Sequence, residues 1–309
     1  MAARARLFSA DHQLYRDNVA RFLAAEVVPQ HAQWERDGHV PRDLWRRAGA
    51  AGLLLPSAPE AYGGGGGDFL HTIIVVEEIA AALTSGIGGF TTHSDIIAPY
   101  LVNFGTHEQK TAYLPGMAQG EIVASIAMTE PGAGSDLKNI RTQAIKTADG
   151  YVINGQKTFI TNGYHADVVI VVAKTDPAAG ARGISLFCVD TRTPGFKRGR
   201  LLDKIGQKAQ DTCELFFEDM LVGHDTLLGE ENKGFGYLMK ELVRERLMIA
   251  VRCASALEVA LDMTIEYTKQ RQAFGHSLFD NQHIRFKLAD IKALACATRA
   301  LVDDGVVRY

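Results

Sequence analysis

The sequence predicts an α+β chain of three domains. These are a helical N-terminal domain over residues 1–122, a middle antiparallel, barrel-like β domain over 123–234, and a helical bundle, incomplete at its end, over 235–309. Three observations predict it. Apolar residues recur at helical spacing through the first third. Short β-rich runs separated by turn signals fill the middle. Helical periodicity returns from Phe235 to Tyr309. No helical pattern separates the middle runs, so they read as hairpins rather than βαβ units, which argues against a parallel dinucleotide-binding sheet.

Leu14, Val19, Phe22 and Leu23 mark the first helix, and Pro29 is expected to end it. Further helices are expected at 43–51, 72–83 and 96–104, with Thr106 as the N-cap of another. Gly63 to Gly67 lack the Gly-Lys-Ser/Thr ending of a phosphate loop and follow no clear strand, so they read as a flexible surface loop. Strands are expected at 123–128, 151–153, 158–161, 168–173, 184–189 and 213–217. Asp149-Gly150, Asn154-Gly155 and Asn162-Gly163 serve as turns. The last helical region breaks near Gly275, and the chain stops within a helical pattern, as expected of a truncated protein.

Composition narrows the function. At 47% hydrophobic and 22% charged the chain is globular rather than disordered. Its 33 basic and 36 acidic residues form no run of like charge, which disfavours nucleic-acid binding. Cys188, Cys213, Cys253 and Cys296 form no Cys-x-x-Cys pair and read as four buried thiols in a reducing compartment. His93, His165, His224, His276 and His283 are scattered, so no metal site is expected. No run approaches the roughly 20 apolar residues of a membrane span. The first seven residues lack the apolar region of a signal peptide, and a cytoplasmic location is the expectation.

Two places carry candidate chemistry. Thr129-Glu130-Pro131-Gly132-Ala133-Gly134-Ser135-Asp136 is a dense loop after an apolar strand, with glycines that admit close backbone approach and hydroxyls at Thr129 and Ser135. It is compatible with a ligand loop or a plain turn. The second is Glu245. An apolar stripe through Leu238, Leu242, Ile249, Cys253 and Ala256 meets Glu245 where an apolar residue is due, and the helical neighbours of Glu245 include no cation. Desolvation and the like charge of Glu241 would raise its pKa toward that of a general base. In the alternative placement the stripe is offset by one, Leu247 faces inward and Glu245 is solvated. Arg271 and Gln272, at the end of that helix, and Gln282 on the next element could hold phosphate or adenine groups, though an arginine there also compensates the helix dipole.

Together these segments resemble the acyl-CoA dehydrogenase family. The resemblance runs from Asp11 to Tyr309 and is most specific at Ala127-Met128-Thr129-Glu130-Pro131-Gly132-Ala133-Gly134-Ser135-Asp136. Asn154-Gly155-x-Lys157, Phe159-Ile160-Thr161-Asn162, Gly229-Glu230-x-x-x-Gly234 and Lys269-Gln270-Arg271-x-x-Phe274-Gly275 agree with it. Lys208-Ala209-Gln210-Asp211-Thr212 and Glu241-Leu242-x-x-Glu245-Arg246-Leu247 lean toward the long-chain type.

The resemblance implies noncovalently bound FAD and oxidation of an acyl-CoA to the trans-2-enoyl-CoA, with electrons passed to an electron-transfer flavoprotein. It implies Glu245 as the base that removes the α-proton. It sets Met128, Thr129, Phe159 and Thr161 against the flavin, Ser135 at the substrate and cofactor pocket, and Arg246 with the substrate. Arg271, Phe274 and Gln282 fall in positions that reach the FAD of a neighbouring subunit, which implies a homo-oligomer, usually a tetramer. The family extends beyond residue 309 into a portion carrying a glycine-rich FAD motif and a backbone donor to the thioester carbonyl. An acyl-CoA oxidase, a flavin monooxygenase or a non-catalytic FAD-binding relative shares the fold. Two geometric expectations follow: the Thr129–Ser135 loop, Thr161 and Glu245 border one cleft, and Arg271 and Gln282 lie away from that loop.

Overall fold

Ser9 opens helix α1 (Ala10–Phe22) with a reciprocal cap. Its hydroxyl accepts from the His12 N–H, and its own N–H donates to His12 Nδ1. The structure, a computed structural model, describes residues 7–309, so the expectations on residues 1–6 lie outside the described residues. Pro29 does not end the helix as expected. A π-turn at Leu23–Val27 absorbs the mismatch, and Pro29 falls in the first turn of α2 (Val28–Asp37), where its missing N–H is not needed. Helix α3 (Arg42–Ala50) buries Leu44, Trp45 and Ala48. Helix α4 (Phe69–Ala81) follows an Asp68 cap, and α5 (Ala98–Phe104) follows a second π-turn at Thr92–Ile97. Thr106 caps α6 (His107–Ala118) in exchange with Gln109.

The five-glycine segment is at the surface but is not a flexible loop. The N–H groups of Gly63, Gly64, Gly65, Gly66 and Gly67 all bond back to carbonyls between Leu55 and Glu60. A Cβ at Gly64 would stand 2.4 Å from the Ala58 oxygen, so glycine is needed for this fold-back.

Strands β1 (Ala124–Ala127), β2 (Gln143–Lys146), β3 (Tyr151–Thr161), β4 (Val168–Lys174), β5 (Ile184–Asp190), β6 (Phe196–Leu201), β7 (Thr212–Val222) and β8 (Leu227–Leu228) make one sheet. Its order is β6-β7-β3-β2-β4-β5-β8, with β1 laid parallel on β4. Two expectations are corrected here. The sheet is open rather than barrel-like, since no pairing joins β6 to β8 among the described residues, and it is not wholly antiparallel. Asn154-Gly155 is no turn either: the two expected strands around it are one strand, and Gly155 sits at a bulge where a Cβ would meet Thr142 at 2.4 Å.

β4 explains the position of the site. Val168, Ile170 and Val172 face the helical core, while Val169, Val171 and Ala173 face the β core. A strand buried on both faces reads as a continuous apolar run, and it welds the first two domains together. Helix α7 (Gly234–Gln270) then spans about 55 Å and packs its middle on α4 through Met248, Val251 and Ala254. Phe274 and Gly275, at φ of 56° and 84°, turn a two-residue hairpin into α8 (Gln282–Arg308). No helix among the described residues is long and apolar enough to cross a membrane.

Cys188 and Cys213 are buried, but Cys253 and Cys296 are exposed, because they fall on the outer faces of α7 and α8. The scattered-histidine expectation also misses one grouping. His12, Asp68 and His71 bring three potential ligand atoms within 4.8 Å. Both histidines serve as capping partners there, and the separation of 56 positions between His12 and Asp68 hides the grouping from spacing.

Candidate active site

The buried face of α7 runs through Leu238, Glu241, Glu245, Met248 and Val251. The expected stripe is rotated toward its end: Cys253 and Ala256 face outward, while Ile249, 57% exposed, stays on the wall of the cavity that Glu245 borders. Glu245 nevertheless points inward, only 8% exposed, so the solvated placement fails. Tyr100 on α5 donates its hydroxyl to Glu245 Oε1 at 3.1 Å, and Asn103, one turn on, donates to Glu241 Oε1 at 2.8 Å. Burial pushes the Glu245 carboxyl up to about 7. Glu241 adds to that rise, while the Tyr100 hydrogen bond and Arg246 oppose it. The inward-turned, partly buried cation on this turn is Arg244, which donates to Asp95, Thr72 and Ser57 and ties α7 to the first domain. Arg246 is exposed.

Glu245 borders a cavity of about 160 Å³, walled by Val76 and Ile79 of α4, by Gly88, Thr92 and Ile96, and by Met248 and Arg252 of α7. Thr161 is not among the residues that wall it, and reaches it only through Gln210 and Gly88. The Gln210 amide donates to Thr161 Oγ1 at 3.2 Å, and a Cβ on Gly88 would stand 2.6 Å from Gln210 Oε1.

The loop after β1 is held from behind. Lys157, with no exposed side-chain surface, donates to the Met128 carbonyl at 3.0 Å and to Glu130 Oε1 at 2.9 Å. Glu130 also accepts from Thr142 Oγ1 at 2.6 Å and from the Arg141 and Thr142 N–H groups. Burial pushes the Glu130 carboxyl up, but Lys157, Thr142 and Arg141 overcome it and hold the group below its ordinary value. Thr129 is fixed through its carbonyl, which accepts from the Thr158 N–H at 2.9 Å. Beside it, Phe159 has a φ of 59° at a register shift in β3 and leaves its ring 67% exposed. Ser135 is exposed on an open part of the loop, where a Cβ on Gly132 or Gly134 would meet nothing within 4 Å. Pro131 and Gly132 line a separate hollow of about 430 Å³ with Arg141 and Phe216, and Thr129, Ser135 and Thr161 wall neither it nor the Glu245 cavity.

Residues 9–121, 125–220 and 232–308 match the N-terminal, middle and C-terminal domains of acyl-CoA dehydrogenase in turn. The chain belongs to the acyl-CoA dehydrogenase family. It is 50% identical over 300 residues to the long-chain specific acyl-CoA dehydrogenase of Sus scrofa mitochondria, covering 96% of this chain and 70% of that one. It also matches the crystal structure of an acyl-CoA dehydrogenase from Geobacillus kaustophilus, with a TM-score of 0.95 and 46% identity over 97% of this chain and 80% of the other. A Bacillus anthracis acyl-CoA dehydrogenase solved in complex with FAD matches with a TM-score of 0.87 and 33% identity, covering 96% of this chain and 50% of its own.

Arg271, Phe274 and Gln282 lie at the far end of α7, roughly 40 Å along the helix from Glu245. All three are at least partly exposed, Phe274 at 99%, and none of their side chains makes a hydrogen bond or ion pair among the described residues. The sequence alone did not single out Tyr100, Lys157 or Arg252 as chemistry. The first is a phenol in an apolar helix, the second one lysine among many. Arg252 stands seven residues after Glu245, which puts it on the same helical face, and that spacing could have flagged it.

Proposed function

We propose that this member of the acyl-CoA dehydrogenase family oxidises the α,β carbon–carbon bond of an acyl-CoA thioester, using noncovalently bound FAD and passing electrons to an electron-transfer flavoprotein. The observation that carries the reading is Glu245: a buried carboxylate on the wall of an apolar cavity, with its pKa raised to about 7. At neutral pH such a group is divided between base and acid, which suits removal of a weakly acidic proton. Tyr100 holds Oε1, and Oε2 has no partner among the described residues, so Oε2 is the oxygen free to take the α-proton. The wall of Val76, Ile79, Ile96 and Met248 receives the acyl chain and keeps water from the base.

The residues present fit FAD. Phe159 pays a backbone strain to leave an apolar ring exposed beside Thr129 and Thr161, a surface that a flat ring system would cover. Met128, Thr129, Phe159 and Thr161 would hold the flavin, with Ser135 and Arg246 at the rim of the substrate site. When bound, FAD supplies the hydride acceptor. Exposure of Arg271, Phe274 and Gln282, whose side chains have no hydrogen-bond or ion-pair partner among the described residues, supports their serving the FAD of a neighbouring subunit in a tetramer.

Anaerobic mixing of the FAD-loaded protein with acyl-CoAs tests this. Flavin absorbance should bleach with the wild type, and Glu245→Gln should bind both ligands without bleaching. Near-normal bleaching by the variant would mean that the proton goes to another group.

A further inference from the structure

Arg252 places a guanidinium in the cavity that Glu245 borders, and it is the one cation among the described lining residues. It makes no ion pair among the described residues. Both of its hydrogen bonds come from Nη2, to the Ser85 carbonyl at 3.0 Å and to Gln207 Oε1 at 2.7 Å. Among the described residues Nε and Nη1 have no hydrogen-bond partner. Gly88 lets the guanidinium pack against its backbone, since a Cβ there would stand 2.9 Å from Nη2 and 3.3 Å from Nη1. Two bonds to loop acceptors from a single nitrogen position the guanidinium and leave the rest of its fork to a ligand.

Seven residues are close to two full turns, so Glu245 and Arg252 lie on one face of α7, about 10 Å apart along its axis. Between them the wall is Met248, with Val76, Ile79 and Ile96 opposite. An acyl chain with its α-carbon at Glu245 would run along apolar wall and end at a cation. A methyl terminus there would meet an unneutralised charge and partly desolvate it, which is unfavourable. A carboxylate terminus would meet a planar, geometrically matched donor. The rise of about 10 Å between Glu245 and Arg252, less the reach of the two side chains, matches a chain of about six carbons from α-carbon to terminus.

We infer that the enzyme prefers an acyl-CoA whose acyl chain ends in a carboxylate, of about six carbons, with Arg252 as the residue that binds that carboxylate and sets the preference. This rests on the reading that the cavity receives the acyl chain.

The test compares adipyl-CoA, hexanoyl-CoA, 6-hydroxyhexanoyl-CoA and palmitoyl-CoA on the FAD-loaded full chain. It measures kcat/KM with an artificial electron acceptor and, separately, Kd by equilibrium dialysis. Adipyl-CoA should be preferred over hexanoyl-CoA by about 10- to 100-fold, the range of a charge-assisted hydrogen-bonded pair. Arg252→Met should collapse that ratio in both measurements. Arg252→Lys, which keeps the charge and loses the fork, should retain part of it. A purely structural Arg252 would move all four substrates together and leave the ratio in place, which overturns the inference. Preference of the wild type for the hexanoyl, hydroxyhexanoyl or palmitoyl thioester overturns it while leaving the dehydrogenase reading intact. Failure of every thioester to bind or turn over would remove that reading, and the inference with it.

Discussion

Two glutamates, one in each half of the site, are buried to almost the same degree and are driven in opposite directions. Glu130 is 7% exposed and Glu245 8%. Glu130 meets an ammonium, a hydroxyl and two backbone N–H groups, which outweigh its desolvation and keep it ionised. Glu245 meets one phenol and a second carboxylate, so desolvation wins and its pKa rises to about 7. Burial alone therefore does not make a base; burial with too few donors does. The first arrangement holds a loop still, and the second keeps a carboxyl ready to exchange a proton.

The largest expected effect tests the Glu245 side. Glu245→Gln should slow flavin reduction by about 10²–10⁴-fold, the usual range of a general base, while bound-flavin content stays at the wild-type level. Stopped-flow absorbance measures the first and flavin release on denaturation the second.

The Glu130 side should respond in stability. Lys157→Met leaves a buried carboxylate without its cation and should cost about 3–5 kcal/mol in urea unfolding. Adding Glu130→Gln removes the stranded charge and should recover more than half of that loss. If the double variant is as unstable as the single one, packing of the lysine stem rather than the ion pair carries the stability.

pH separates the two sites by sign. Glu245 has a folded pKa above its unfolded value of 4.5, so the folded state holds the proton more tightly. Its contribution is present below pH 4.5 and is lost as pH rises to 7, an effect on the order of 3 kcal/mol. Glu130 has a folded pKa below its unfolded value, so its contribution is present above the unfolded pKa and is lost on acidification through the folded one. Unfolding free energies of Glu245→Gln should lack the decline between pH 4.5 and 7 while keeping the acid loss.

The smallest effect concerns the single donor. Tyr100→Phe removes the hydrogen bond that holds the Glu245 pKa down, so the rise of kcat/KM with pH should move to higher pH. An unmoved profile would show that another group sets the acidity of the base.

Much of the fold was legible because its signals are local. The helical ends follow from period-3.6 patterns, and the Thr106 cap from a residue type at one position. β4 was legible because a strand buried on both faces needs no alternation. The bulges at Gly155 and Phe159 were not, since a bulge depends on which residue stands opposite on the partner strand. The glycine run was legible as surface but not as rigid, because its five bonds go to a preceding segment whose path the local pattern does not describe.

The sequence by itself determined the order of the three regions, the identity of the loop after β1 and the presence of Glu245 within an apolar helical stretch. A helical pattern alone leaves the rotation of α7 uncertain by about one residue, or 100°. Only the packing of α4 and α5 decided that Leu238, Met248 and Val251 are buried while Cys253 and Ala256 are exposed. The same packing decided that Tyr100, 145 residues away, is the partner of the base, and that Lys157 stands beneath Met128. Proton affinity is set by every group packed around a carboxylate, from whatever element it comes, so the chain must fold before Glu245 and Glu130 become different acids.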